Sequence, residues 1–174
     1  MTYQVKNTLI AALVASISLS AVPAFANTFK MAVEGDITDT TCAATVSKQA
    51  LDMGIVNKND FDSVGASVDG DEFTVTIQNC PAVMNTAAIT IKGSPDKDNS
   101  DLFSLNQLNG SAEGVGVRVQ ARDNNDAVVS PGGVSNYTLS NGEASASFLV
   151  DLVSTKEVKA GSINSAISVE VTYQ

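Results

Sequence analysis

Short runs in which apolar and polar residues strictly alternate recur along the chain, separated by turn residues. The clearest is the last. Ile167, Val169, Val171 and Tyr173 fall on one side, with Ser168, Glu170, Thr172 and Gln174 on the other. Successive strand side chains point to opposite faces, so this pattern specifies a strand with one buried face. The same period two organises Phe73-Thr74-Val75-Thr76-Ile77-Gln78, the run Ala87 to Ile91, Val115 to Ala121, and Ala144-Ala146-Phe148-Val150-Leu152. A shorter strand is expected over Leu51, Met53, Ile55 and Val56, and another over Ala127 to Val129. Asn79-Cys80-Pro81, Gly93-Ser94-Pro95, Pro131-Gly132-Gly133 and Lys159-Ala160-Gly161 separate these runs as turns. Beyond the leader described below, no segment carries a helical stripe, except for one possible turn at Ser47 to Leu51. Many short strands with turn signals between them predict an all-β sandwich or barrel. The run from Ser94 to Leu108 is polar and turn-rich, and it reads as the least structured part. On composition, residues 94–114 read as an exposed, variable face.

The amino-terminal residues have a different character. Lys6 precedes an apolar run, Leu9 to Leu19, and Ala24-Phe25-Ala26 follows as a small-x-small site. That run is too short to span a bilayer, which requires about 20 apolar residues. The order of parts predicts a cleaved export signal over residues 1–26. The remaining 148 residues, Asn27 to Gln174, are enough for one domain with a sizeable core. Removing the leader removes one lysine and no acid, so the net charge of −9 becomes −10. Such a surface repels nucleic acid and anionic membranes and argues against either as a partner. Cys42 and Cys80, the only cysteines, are expected to pair in an oxidising compartment. Closing that loop adds about 4 kcal/mol on the chain-entropy model.

Catalytic readings lack essential parts. The chain has no histidine, which removes Ser-His-Asp and Cys-His chemistry and most zinc sites. Ser94-Pro95-Asp96-Lys97 matches S-x-x-K without its companion motifs. Asp96, Asp98 and Asp101 share a loop, but Asp101 and Gln107 occupy the positions where a calcium loop needs glycine and glutamate. A solvated acidic loop is the simpler reading. Asn109-Gly110-Ser111 and Asn136-Tyr137-Thr138 are glycosylation triplets of a kind that arises often by chance. No catalytic residue, cofactor or metal site is expected.

A second alternating segment begins the mature chain. Phe29, Met31, Val33, Gly35 and Ile37 lie on one face, and Thr28, Lys30, Glu34 and Asp36 on the other. On pattern alone it is either the first strand of a closed sandwich or a strand exported to another chain by β-strand addition. The final strand stands one residue from the end of the sequence and is expected at a sheet edge, which sheet proteins normally protect.

Several stretches together resemble the chaperone–usher fimbrial pilins of the type 1 major-subunit kind. Gly35-Asp36-Ile37-Thr38-Asp39-Thr40-Thr41-Cys42 is similar to the family's amino-terminal motif, and Leu51-Asp52-Met53-Gly54 to the segment after its first cysteine. Phe73 to Cys80 resembles the strand carrying the second cysteine, and Gly114-Val115-Gly116-Val117-Arg118 the central strand. Val158 to Asn164 and Val171-Thr172-Tyr173-Gln174 resemble the carboxyl end. The resemblance implies an incomplete immunoglobulin-like β-sandwich lacking its final strand, completed by a donor strand. It implies a leader at 1–26, a donor arm at 27–37 (Phe29, Met31, Val33, Gly35, Ile37) and a pilin domain at 38–174. Ile163, Ile167, Val169, Val171, Tyr173 and Gln174 would form the acceptor groove and the chaperone-binding edge. The implied partners are a periplasmic chaperone, an outer-membrane usher and neighbouring subunits joined head to tail, and the implied location is a cell-surface fimbria reached through the periplasm. The arm is short, and no second, lectin-like module accompanies the domain, which favours a shaft subunit over a tip adhesin. The competing expectation is a self-contained secreted sandwich that binds a carbohydrate or protein; few aromatics and no tryptophan weaken its sugar-stacking form.

Overall fold

The alternating runs assemble into two antiparallel sheets. In the computed structural model, which describes residues 42–174, eight strands run in chain order. They are β1 (Ala43–Val46), β2 (Ser67–Gln78), β3 (Thr86–Lys92), β4 (Glu113–Ala121), β5 (Ala127–Val128), β6 (Val134–Thr138), β7 (Ala144–Lys159) and β8 (Ser168–Tyr173). One sheet has the order β1-β2-β7-β4-β5 and the other β6-β3-β8. The leader at 1–26 and the arm residues Phe29 to Ile37 lie outside the described residues.

The core forms where the inward rows of the two sheets meet. Phe73, Val75 and Ile77 of β2, Val117 and Val119 of β4, and Phe148, Val150 and Leu152 of β7 supply one side. Ala87, Ile89 and Ile91 of β3 supply most of the other. β7 pairs with β2 on one flank and β4 on the other along most of its length. Phe73 and Phe148, opposite each other in that register, stack with centroids 5.1 Å apart. Cys42 and Cys80 are bridged, joining the residue before β1 to the residue just beyond the end of β2.

Four parts of the fold depart from the sequence reading. Leu51 to Val56 forms no strand: among the described residues no ladder includes it, and Ile55 is fully exposed. A local turn takes over, with the Gly54 N–H donating to Asp52 Oδ1 at 2.8 Å and Gly54 in the left-handed region (φ +61°). No helical turn forms at Ser47 to Leu51; the first among the described residues is a 3-10 turn at Lys58–Asp60, begun by a capping box at Asn57. The polar stretch after β3 is well anchored, since Leu102, Phe103 and Leu105 are buried. Phe103 exchanges backbone hydrogen bonds with Val117 (2.7 and 2.9 Å), and Leu102 packs against Gly116, where a Cβ would stand 2.9 Å away. This correction removes residues 102–105 from the exposed face expected of 94–114. Finally, β6 is a strand that the alternation did not reveal, held along β3 from Thr86↔Thr138 to Thr90↔Val134.

Candidate functional site

The inward row of β8 is buried less completely than the strand beside it. Tyr173 pairs with Ala87, Val171 with Ile89 and Val169 with Ile91. The three β3 residues are completely buried, whereas Ile167, Val169, Val171 and Tyr173 are all half-buried. The difference follows from position. β3 has β6 on one flank and β8 on the other, while β8 stands at the end of its sheet and among the described residues pairs only with β3. Among the described residues its apolar face is therefore covered from one side.

Beside that edge runs a groove of mixed character. Leu51 and Met53 form one wall, Ile163 and Ile167 the other, and Val117 and Val150 lie at its base, with Gln49, Asn164 and Ser165 completing the lining; the cavity is about 330 Å³. Ile163 also borders a smaller recess of about 90 Å³ with Val56, Phe61, Val115 and Leu152, flanked by Lys58 and Lys159. The wall at 49–56 is the stretch that forms no ladder among the described residues, and from it Leu51, Met53 and Val56 pack part-buried against the core. The chain ahead of this wall is held to β2 by the Cys42–Cys80 bridge, by the four residue pairs of β1 and by the Ser47 N–H donating to the Thr74 carbonyl at 2.9 Å. The Met84 sulfur lies 3.4 Å from the Cys42 sulfur and packs against the bridge.

The other end of β8 is tied down by its own backbone. The Gln174 N–H donates to the Thr86 carbonyl at 2.9 Å, and its carbonyl oxygen accepts from the Asn85 and Thr86 amides at 2.9 and 3.0 Å. Tyr173, next to it, has its phenol pushed above the ordinary tyrosine range by burial. Outside the groove, Glu170 pairs with Lys92 of β3. The structure thus brings Ile163 and Ile167 together in the cavity, extends the row through Val169, Val171 and Tyr173, and fixes Gln174 at its end. The expected donor residues Phe29, Met31, Val33, Gly35 and Ile37 lie outside the described residues.

Sequence reasoning missed the opposite wall and the base. Leu51 and Met53 carried the right signal, two apolar residues flanking an Asp-x-Gly turn, but it read as a paired strand. The base is hidden within β4 and β7, whose inward rows are shared between core and groove. The acidic loop is occupied internally. Asp96 accepts from the amides of Asp98 and Asn99 (2.9 and 3.2 Å), Asp98 pairs with Lys156 at 2.9 Å, and Asp101 accepts from the Ser130 hydroxyl at 3.0 Å.

Fold and groove together define a class: an immunoglobulin-like sandwich in which, among the described residues, the last strand is a sheet edge beside a partly apolar channel. The chain belongs to the fimbrial protein family, whose model matches residues 28–174. It is 30% identical over 145 residues to the probable major fimbrial subunit LpfA of Escherichia coli O157:H7, covering 80% of each chain. It is 28% identical over 165 residues to long polar fimbria protein A of Salmonella typhimurium, covering 92% of each. Among solved structures, a chaperone–usher pilus subunit superposes with a TM-score of 0.62 at 20% identity, over 89% of this chain and 99% of that one. The relatives favour a pilin over a self-contained binding module.

Proposed function

We propose that this protein is a structural subunit of a cell-surface fimbria, and that the groove beside β8 receives the amino-terminal arm of the next subunit. The observation that carries this reading is the half-buried inward row of β8 next to a partly apolar channel. An added strand would cover that row, satisfy the edge and complete the sandwich. The arm has a matching pattern: Phe29, Met31, Val33 and Ile37 entering the groove at about 1.5–3 kcal/mol each give roughly 6–12 kcal/mol before ordering costs. Backbone hydrogen bonds along the edge add to this. Gly35, without a side chain, would let the donated backbone lie close to the groove base.

Such a contact joins different surfaces of successive copies and does not close, so it propagates as a filament. A subunit with an uncovered groove would be prone to aggregation. It would need a temporary strand from a periplasmic chaperone, with the chain end at Tyr173-Gln174 as a handle. Exchange for the arm of the next subunit would follow at an outer-membrane usher. The role is structural, and no residue is assigned a catalytic step.

Deletion of residues 27–37 tests the reading. The shortened subunit should still fold and be captured by chaperone but should fail to join a following groove, giving monomer–chaperone complex and no filament. A shortened chain that cannot be captured and is degraded as unfolded would mean that the arm belongs to its own sandwich.

A further inference from the structure

Strand addition leaves the register to be decided. A strand whose side chains alternate can slip by two residues and keep its apolar face inward. The arm's apolar row, Phe29-Met31-Val33-Gly35-Ile37, recurs at every second position and resists such slips weakly. Its polar row is far less uniform, with one base, Lys30, followed by two acids, Glu34 and Asp36. The outward row of β8 is equally distinctive: Ser168, Glu170 and Thr172 carry a single charge. Glu170 presents Oε2 to Lys92 on the β3 side, and its side chain remains half exposed. Its other flank faces the open edge.

We infer that Glu170 sets the register of the incoming strand by selecting Lys30 of the neighbouring subunit's arm, an inference that rests on the proposed function. Charge also sets the direction. Lys58 borders the recess at the Ile163 end, where Lys159 is already paired with Glu113 at 2.9 Å; the Lys58 charge suits Glu34 and Asp36, while Glu170 near the other end suits Lys30. The arm then runs antiparallel to β8. Placing Lys30 opposite Glu170 brings Met31 beside Val169, Val33 beside Ile167 and Ile37 beside Ile163. Every inward arm residue thus meets an inward residue of the edge. Gly35 falls beside Ser165, whose hydroxyl is already bonded to the Ser104 carbonyl at 2.8 Å. A two-residue slip replaces Lys30 with Thr28 or Ala32, and a four-residue slip sets Glu34 against Glu170. Opposite charges across a strand pair stabilise it, and like charges directly opposite destabilise it.

Charge reversal in the full-length chain tests this, with the rate of subunit joining as the readout. Lys30→Glu or Glu170→Lys alone should slow joining about fivefold, and the double reversal should recover most of that loss. Glu170→Lys also confronts Lys92, so a neutral cycle with Lys30→Gln and Glu170→Gln accompanies it. Removing the second partner after the first should then have little further effect. If the double reversal is as slow as the two single effects multiplied, and the neutral cycle is additive, Glu170 does not read Lys30 and the inference falls. A chain lacking residues 27–37 separates the two levels. Joining at the full-length rate would remove the arm as donor, and the underlying reading with it.

Discussion

Asp151 is a carboxylate with no exposed surface in the middle of the central strand β7. It lies opposite Arg118 of β4, which meets it with both arms of the guanidinium: Nε donates to Oδ1 at 3.0 Å and Nη2 to Oδ2. A buried charge without its partner is far costlier than the intact pair is favourable. Arg118→Met should therefore destabilise the subunit by about 3 kcal/mol, at the low end of the buried-pair range because the guanidinium keeps some contact with water. A chemical-denaturation midpoint within about 0.5 kcal/mol of wild type, the scatter of ordinary surface substitutions, would show that the pair is dispensable. Gly114 is constrained in a different way. It holds φ +77°, and a Cβ there would collide with the Glu157 carbonyl at the point where β7 bulges away from β4.

At the scale of elements, β8 and the segment 49–56 act as a pair that the chain leaves apart. Ile163 lines both the larger cavity and the smaller recess, so truncating it should weaken the joint between subunits more than the fold of one subunit. Ile163→Ala is expected to remove about 2 kcal/mol from the joint. The filament should then dissociate at a lower temperature, with a smaller shift in the unfolding of isolated subunit–chaperone complex. Equal shifts in both would place Ile163 in the core and outside the joint. The inward row of β8 was legible in the sequence because alternation over Ile167 to Tyr173 marks one face of a strand whether or not that face is fully covered. The same held for β2, β3, β4 and β7. Alternation failed where partners decide the outcome. Leu51 and Met53 alternate like a strand but have no ladder, and Val134-Ser135-Asn136-Tyr137-Thr138 forms a strand with only one large inward side chain, Tyr137. Leu102, Phe103 and Leu105 were hidden in a turn-rich polar run, since so short an apolar cluster gives no sustained period.

The whole molecule carries a net charge of −9 and has no histidine, so its response to pH comes from carboxylates. Lys48 hydrogen-bonds Asp71 and holds its carboxyl below the usual value of 3.8, and Lys159 does the same for Glu113 below 4.5. A folded-state pKa below the unfolded value contributes stability that is present above the unfolded pKa and lost as pH falls through the folded one. The melting temperature should therefore stay level from about pH 6 to 8, with no histidine to titrate there. It should fall below about pH 4 as these carboxylates take up protons. Lys48→Met together with Lys159→Met should flatten part of the acid limb. The effect is modest because both carboxylates are open to solvent. An unchanged acid limb in that double variant would assign the loss to other groups.

The bridge between Cys42 and Cys80 has a mechanical consequence. If the arm at 27–37 is the donor strand, tension along the filament would enter each subunit just ahead of β1. That strand pairs with β2 over only four residues and would peel away one hydrogen bond at a time. Because Cys42 precedes β1 and is bonded covalently to the residue two beyond the end of β2, the pull passes around the weak strand into β2 and from there across the long ladder to β7. Loaded along its length, that ladder would share the force over ten residue pairs. The crosslink thus turns a zipper into a lap joint.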